Sequence, residues 1–505
     1  MKKIFFIFFI FSFSILAAQT VNGDTLTVHG KKILKIWGTH SERGFAHGYL
    51  MGDKIKLLAD LYIVNYVYSG SPVLYNSVHT FFLNSFNIEQ KYQDEAQGII
   101  DGMIAAEIDL YNPVLQRDFN RDDILMINSL VDLIAYSDLD LLRDFGCSSL
   151  SAWGENTASD PQLQGDLVIT RQLDWTPHNT LHDNHLMIIH FPAENDEVNW
   201  LSFGFPGFFC ALSGINEEGQ GAFMNVGNNH SHPIQQNLHP ILLSVRNGLE
   251  SYDYNGDFQT DAWDVANAIQ DKTHYSGSII NAVNHQYALI IETNNQSGTM
   301  IREDSSNTMI PLDALVATNH FQTLYLPIYC VRYQNISDSL AANNQISVDR
   351  SWNILKGASG VNSNLQMIEF APNQNIIKWS TSKYGQPAYT NDPAEFEISE
   401  LFTMPVSVDN QYVEYIHVVK IFPNPFFEFT SLSFSLSQSS YVELSIFNVR
   451  GQKIKTLLAD SRSRGSYSVY WDGCDENGQM VPSGIYVYRF STNYMSESGR
   501  LILVK

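Results

Sequence analysis

Four cysteines, at positions 147, 210, 330 and 474, are the strongest nucleophiles in the chain. A thiolate attacks carbonyl carbon even without elaborate activation. Cys210 lies within the apolar run 204–212 and is expected to be a small buried hydrophobe. Cys330 follows another apolar stretch and reads as structural, and Cys474 falls in a turn near the C-terminus. Cys147 differs. It sits in Asp144-Phe145-Gly146-Cys147-Ser148-Ser149, where helical patterning gives way to short β-rich runs. A strand carrying Thr170-Arg171-Gln172-Leu173-Asp174-Trp175 follows, so a thiol, a fixed cation and a carboxylate stand close in sequence. Arg171 and Asp174 are three residues apart, which in a regular strand puts them on opposite faces. A bend near Leu173 is therefore required if both serve one site.

The elements that must position these groups change along the chain. Residues 20–146 are expected to be mostly helical, with apolar residues at helical spacing over 48–68, 89–110 and 122–142. Ile99, Ile100, Met103 and Ile104 form one such stripe, expected to be a core face. From 147 to about 404 the runs 167–173, 185–191, 200–212, 221–226, 287–292 and 315–318 are rich in β-branched and aromatic residues and bounded by turn residues. Helical stretches return near 261–271 and 336–342, giving a mixed α and β unit. Residues 405–417 read as a linker. Beyond it, 418–505 alternate with period two, as in Val442, Leu444, Ile446 and Tyr486, Tyr488, Phe490, with Gly turns between. That pattern predicts a small antiparallel sandwich.

Composition bounds the function. The chain has 505 residues, 44% hydrophobic and 16% charged, enough to bury an enzyme-sized core. Its net charge of −23 lacks the basic footprint that nucleic-acid binding needs. Lys2 and Lys3, an uncharged run over 4–16 and then Ala17-Ala18 form an export signal, expected to be removed after residue 18. The run is shorter than the ~20 residues that span a bilayer, and no later stretch is long and apolar enough to do so. Asp253, Asn255, Asp257, Asp261 and Asp264 fit positions 1, 3, 5, 9 and 12 of a calcium loop, with Phe258 where glycine is usual. Any calcium there is expected to be structural. His178, His182 and His185 sit in a Pro- and Asn-rich loop, and no His-Glu-x-x-His zinc motif occurs.

The segment around Cys147 resembles the acyl-coenzyme A:6-aminopenicillanic acid acyltransferase family of N-terminal-nucleophile hydrolases, with bile salt hydrolase, penicillin V acylase and acid ceramidase-like amidases as relatives. The resemblance is carried by Gly146-Cys147-Ser148-Ser149, Ala152-Trp153-Gly154, Thr170-Arg171-Gln172-Leu173-Asp174-Trp175, Gly214-Ile215-Asn216-Glu217-Glu218-Gly219, Asn225, Thr318-Asn319-His320-Phe321 and Arg332-Tyr333. Upstream, Thr39-His40-Ser41-Glu42-Arg43-Gly44 with Gly48 also matches. The fold this implies is α+β, a four-layer αββα sandwich followed by the small all-β immunoglobulin-like sandwich. It further implies self-cleavage between Gly146 and Cys147, separating a chain 19–146 from a chain beginning at Cys147. An internal Cys has only an amide nitrogen, whereas a terminal Cys carries an α-amine that titrates near 7.7–8.0 and can take the thiol proton. By the same resemblance, Asp174 orients the amine, Arg171 lowers the thiol pKa and Asn225 donates to the oxyanion. Asn319 and Arg332 tie the site together.

Residues 418–505 resemble the C-terminal sorting domain of the type IX secretion system of Bacteroidetes-type bacteria. The matching residues are Phe422-Pro423-Asn424-Pro425-Phe426, Asn448-Val449-Arg450-Gly451, Trp471-Asp472-Gly473, Ser483-Gly484-Ile485-Tyr486 and the basic end Val504-Lys505. The expectation is a secreted or surface-delivered amidohydrolase, handled by the type IX machinery, that cleaves a linear or N-acyl amide of a small molecule through a thioester and needs no cofactor. Three alternatives stand beside it: an acyltransferase passing the acyl group to an amine, a phospholipase B-like lipid hydrolase, and a non-catalytic surface binding protein.

Overall fold

The computed structural model describes residues 20–137, 146–227, 234–306, 309–358, 363–405, 416–436, 440–462, 465–492 and 496–504. The signal segment 1–18, Asp144 and Phe145, most of the 405–417 linker and Lys505 lie outside them. Chain contacts separate two units, Met1–Pro405 and Val406–Lys505.

Two sheets form the first unit. The larger has nine strands in the order Gly23–Val28, Lys31–Gly38, Leu186–Pro192, Trp200–Gly204, Ser213–Asn216, Gly221–Val226, Ser278–Val283, Ala288–Asn294, Gly298–Arg302. The smaller has six, in the order Ala314–Ala317, Ser148–Ala152, Val168–Asp174, Asn364–Ala371, Ile376–Thr381, Ala394–Glu397. Every neighbouring pair is antiparallel except Lys31–Gly38 with Leu186–Pro192, which run parallel. The segment 20–146 is mostly helical as expected from His40 to Ser137, but its first residues supply two strands. Lys31–Gly38 is buried on both faces over Ile33–Ile36, so it shows no alternation in sequence. The consequence is structural: residues on both sides of Cys147 share one sheet.

Three hydrophobic cores alternate with these sheets. Leu186, Ile188, Trp200, Met224 and Ile280 turn to a core shared with the helices before Cys147 and with Ile241–Glu250 and Ala262–Gln270. Their strand neighbours Met187, Ile189, Leu201, Phe223 and Ile279 turn the other way, onto Ile169, Leu315, Ile368 and Trp379 of the six-stranded sheet. That sheet's far face, Leu150, Val168, Val316 and Met367, packs on the helices Val331–Ala342 and Val348–Ala358. Side chains alternating between faces thus fill cores on both sides of each sheet.

The leading helices are His40–Leu57, continued as a π-helix over Leu58–Val67, then Pro72–Ser85, Gln90–Ala105, Arg121–Asn128 and Leu130–Ser137. In the expected stripe, Ile99, Ile100 and Met103 are buried, but Ile104 is 57% exposed and does not belong to it. His40–Leu57 and Gln90–Ala105 cross with backbone against backbone. A Cβ built on Gly44 would lie 2.0 Å from the Glu95 carbonyl oxygen, on Gly48 1.9 Å from that of Ile99, and on Gly102 2.1 Å from that of Phe45.

The close approach also delivers charge. His40 reaches Glu95 through Nδ1 at 2.7 Å and Glu197 through Nε2 at 2.8 Å. Both nitrogens must donate to carboxylates, so this His is an imidazolium. Burial works against that charge, but the bonds to Glu197 and Glu95 win and raise its pKa. Arg43 binds Glu194 and Glu197, Lys91 binds Glu197 and Glu250, and Arg246 binds Glu95 and Glu250. Four cations thereby match four carboxylates, and the network joins residues from before and after Cys147.

The second unit is the expected antiparallel sandwich. Ile416–Phe422, Thr430–Leu436 and Gly465–Trp471 make one sheet, and Lys453–Arg462, Ser440–Asn448, Gly484–Ser491 and Ser496–Leu503 the other. Val442, Leu444, Ile446, Trp471, Tyr486, Tyr488 and Phe490 meet inside it.

The helix crossing yields a test. On an exposed helix Gly48→Ala would stabilise by ~1 kcal/mol. Here the added methyl meets a carbonyl oxygen with no room to yield, so we expect a net loss of about 3 kcal/mol. Thermal unfolding should show Gly48→Ala clearly lowered, and an unchanged or raised Tm would contradict the packing.

Candidate active site

Cys147 lies just before the strand Ser148–Ala152, which pairs with Val168–Asp174 in the register Ser149 opposite Arg171. The thiol is buried, and Arg171 Nη2 lies 3.7 Å from Sγ while donating to the Met224 carbonyl at 2.6 Å. That second bond anchors the guanidinium to Gly221–Val226, the strand of the other sheet that bears Asn225. Arg171 therefore bridges the two sheets beside the sulfur.

Asp174 also reaches the site, although it should face away from Arg171. The six-stranded sheet carries a bulge at this point. Asn364 stands opposite Asp174 and Gln366 opposite Leu173, so Leu365 is an extra residue on the neighbouring strand. The irregularity expected near Leu173 lies on the partner strand. Asn364 Nδ2 donates to Asp174 Oδ1 at 2.9 Å, while Oδ2 is buried with no hydrogen-bond partner. A Cβ built on Gly146 would lie 3.1 Å from that free oxygen and 3.6 Å from Arg332 Cζ. Gly146 is not among the residues with positive φ, so its lack of a side chain matters here for room beside Asp174. Burial pushes Asp174 up to about 7, against the Asn364 hydrogen bond and the charges of Arg332 and Arg171.

Arg332 sits in the first turn of Val331–Ala342. Its Nη1 donates to the Cys147 carbonyl at 2.6 Å and to Ser148 Oγ at 2.9 Å, and its Nη2 to Asn319 Oδ1 at 2.7 Å. Asn319 Nδ2 donates in turn to the Val226 carbonyl at 2.7 Å. Asn225 Nδ2 gives one long bond, 3.4 Å, to the Thr318 carbonyl. An amide nitrogen has two hydrogens, so this bond uses only one of them. Arg171 and Arg332 thus both contact Cys147, and Arg332 joins Asn319 and lies 4.0 Å from Asp174, while the Asn225 side chain bonds only the backbone at Thr318. Missed were Asn364, Ser148 and the Met224 and Thr318 carbonyls. Ser148 at least stands within the Gly146-Cys147-Ser148-Ser149 motif, but nothing near Asn364 in sequence marks it, because a bulge assigns its role.

Arg171 lowers the thiol pKa as expected, but it does not decide the net shift. Burial raises the Cys147 thiol pKa, with Asp174 adding to the rise, and the charge of Arg171 offsets this only in part. In the uncut chain Cys147 is a thiol. Cys330 goes the other way, lowered to about 6 despite burial by hydrogen bonds from His320, the Tyr333 backbone and Thr318.

Beside the site, Leu173 and Trp175 line an apolar cavity with Tyr62, Leu130, Val131, Leu181, Phe205, Phe208, Leu212 and Leu242. It holds about 20 Å³, room for roughly one water. The π-helix brings Tyr62 here, where Trp175 Nε1 donates to its hydroxyl. In the candidate calcium loop, Asp253 accepts from the backbone amides of Gly256, Asp257 and Phe258, and Asp264 from those of Tyr254, Asn255 and Asp261. Phe258 takes the left-handed backbone, φ 69°, at the position where glycine is usual. His182 and His185 both bond Ser382.

Comparison with known proteins finds one family model and several similar proteins and structures. The model of the FlgD Ig-like domain matches residues 428–497. Protein dcd1B of Dictyostelium discoideum is 24% identical over 430 residues, covering 81% of this chain and 79% of that protein. The Caenorhabditis elegans N-acylethanolamine-hydrolyzing acid amidase ortholog superposes with TM-score 0.34 at 14% identity, over 45% of this chain and 93% of that one. A variant of conjugated bile acid hydrolase from Clostridium perfringens gives TM-score 0.32 at 10% identity, over 52% and 97%.

Thiol reactivity checks the electrostatics. In uncut protein at pH 7, limited alkylation followed by peptide mapping should label Cys330 before Cys147. Faster labelling of Cys147 would contradict its burial as a neutral thiol.

Proposed function

We propose that this protein is a self-processing N-terminal Cys amidohydrolase with the four-layer αββα architecture, cleaving a linear or N-acyl amide. One observation carries the reading: Asp174 leaves a buried carboxylate oxygen unpaired against the Gly146–Cys147 junction. Scission there would place an α-amine beside it, satisfying the oxygen and creating the base that the thiol lacks. The order of three cores around two sheets supports the layering.

In the proposed reaction the α-amine takes the Cys147 proton, and Sγ adds to the substrate carbonyl. The oxyanion receives the free hydrogen of Asn225. Arg171 stabilises the sulfur's negative charge, and Arg332 with Asn319 fixes the backbone of Cys147. Collapse breaks the C–N bond. The leaving amine takes the proton back from the α-ammonium, leaving a thioester that water hydrolyses. The apolar cavity suits the acyl side of the substrate and must widen to admit it. Outside the cell acyl-coenzyme A donors are scarce, which favours hydrolysis over acyl transfer. Export by the N-terminal signal and delivery by the type IX pathway through residues 418–505 complete the proposal, supported by the Ig-like sandwich there.

Intact mass and N-terminal sequencing provide the test. Purified protein should contain a chain starting at Cys147 that remains associated with the residues before it, and Cys147→Ala should stay uncut and inactive on N-acyl amides. An active enzyme that is a single uncut chain would overturn the reading.

Processed Asn225→Ala should keep a titratable Cys147 but lose about 10²–10³ in kcat, the usual effect of removing one oxyanion donor. KM should move far less, since charge builds on that oxygen only as sulfur adds. Near-normal kcat would remove Asn225 from the oxyanion site.

A further inference from the structure

We infer that Asn364 is a positioning residue of this site, holding one oxygen of Asp174 so that the other faces the nitrogen of Cys147; the inference rests on the amidohydrolase reading. Asn364 is fully buried, and both ends of its amide are fixed. Nδ2 donates to Asp174 Oδ1 at 2.9 Å, with the Gln366 carbonyl at 3.1 Å and the Leu173 carbonyl at 3.3 Å, while Oδ1 accepts from the Tyr389 backbone amide at 2.9 Å. The Tyr389 bond settles the amide orientation, because only the oxygen can accept there. A donor must then face Asp174.

The bulge is what puts this donor in place. With regular pairing beyond Leu173 and Gln366, the residue opposite Asp174 would be Leu365, which instead turns into the apolar core. Leucine offers a carboxylate nothing. The extra residue brings Asn364 into register, and a carboxylate gripped at Oδ1 can turn Oδ2 only within a narrow arc. A Cβ built on Gly146 would lie 3.1 Å from Oδ2, so this oxygen stands beside the residue that precedes Cys147. Arg332 cannot do the same, since its Nη1 is 4.0 Å from Oδ2 and committed to the Cys147 carbonyl. Among the causes that hold the Asp174 pKa down against burial, the Asn364 bond is the largest. Without it, the carboxylate would be protonated at higher pH and unable to hold an ammonium.

Two substitutions test this in the processed full-length enzyme. Asn364→Asp keeps the shape and the acceptor for Tyr389 but replaces the donor with a like charge. Asn364→Ser keeps a shorter donor. The Asn364→Asp variant should carry the acid limb of the kcat/KM profile to higher pH by about one to two pH units, the strength of one hydrogen bond to a charged group. Asn364→Ser should fall between it and wild type, and KM should change little in either. Rates are normalised to titratable Cys147, so a purely structural role would lower the yield of sites and leave the limb unmoved. An unmoved limb in both variants, with wild type cut and active, overturns the positioning role alone. Wild type left uncut before Cys147 overturns the enzymatic reading, and this inference with it.

Discussion

A carboxylate removed from water with one oxygen unpaired is costly, and the core of the first unit is arranged to hold one. Asp174 sits at the end of a central strand of the six-stranded sheet, with Asn364 on one oxygen and Gly146 beside the other. An unsatisfied buried acceptor costs roughly 1–3 kcal/mol, so folding alone would favour a neutral residue or a nearer cation. Arg332 is close enough to supply that cation, yet its hydrogen bonds go to Cys147, Ser148 and Asn319. The unpaired oxygen is therefore a local conflict at the place where the chain joins Gly146 to Cys147, the kind of departure from local consistency that marks functional sites.

If that bond is cut, everything before Cys147 must be held by non-covalent forces. Two features answer this need. Lys31–Gly38 lies within the nine-stranded sheet, in parallel register with Leu186–Pro192. The glycine-lined crossing of His40–Leu57 with Gln90–Ala105 sets His40, Arg43, Lys91 and Glu95 against Glu194, Glu197, Arg246 and Glu250. Buried ion pairs contribute little net stability, because desolvation consumes most of their attraction. Their strength lies in what removal of one partner leaves behind: an uncompensated buried charge. Such a network resists separation of the two pieces more than it stabilises either. The carboxylates of His40–Leu57's neighbours are already matched by Arg43 and Lys91, so the arrangement suits a clamp better than a cation site.

Much of this could be read in the sequence, and the exceptions have physical causes. Runs rich in β-branched and aromatic residues marked Val168–Asp174, Leu186–Pro192, Trp200–Gly204, Gly221–Val226, Ala288–Asn294 and Ala314–Ala317, but not Ser278–Val283. They missed Lys31–Gly38, where Lys31, Lys32 and Lys35 break up the apolar residues of the strand. The stripe through Ile99 failed at Ile104 because the partner helix covers less than the full apolar arc. Cys147, Arg171 and Asp174 stood close in sequence, and the family motifs supplied Asn225, Asn319 and Arg332. Asn364 was invisible, since its role comes from a one-residue slip between strands about 190 residues apart. Arg171 does lower the thiol pKa, as expected, but the net shift is upward. Sequence shows a charge's neighbours but not the burial that opposes it.

That opposition explains why the chemistry would wait for cleavage. In the uncut chain the thiol is disfavoured as an anion by burial and by Asp174, and the nitrogen beside it is an amide with no basicity. Cutting changes three terms at once, all in the same direction. The new ammonium is opposite in sign to Asp174, so it draws that carboxylate below its present value near 7. It would give Asp174 Oδ2 the hydrogen-bond partner it lacks, fixing the amine's position against Sγ. And it brings a positive charge to the sulfur that adds to Arg171, with a proton affinity matched to neutral pH. Asp174 stays fixed throughout and needs no rearrangement. On the proposed reading, one bond broken beside a preorganised carboxylate would turn an inert buried thiol into a nucleophile with its own base.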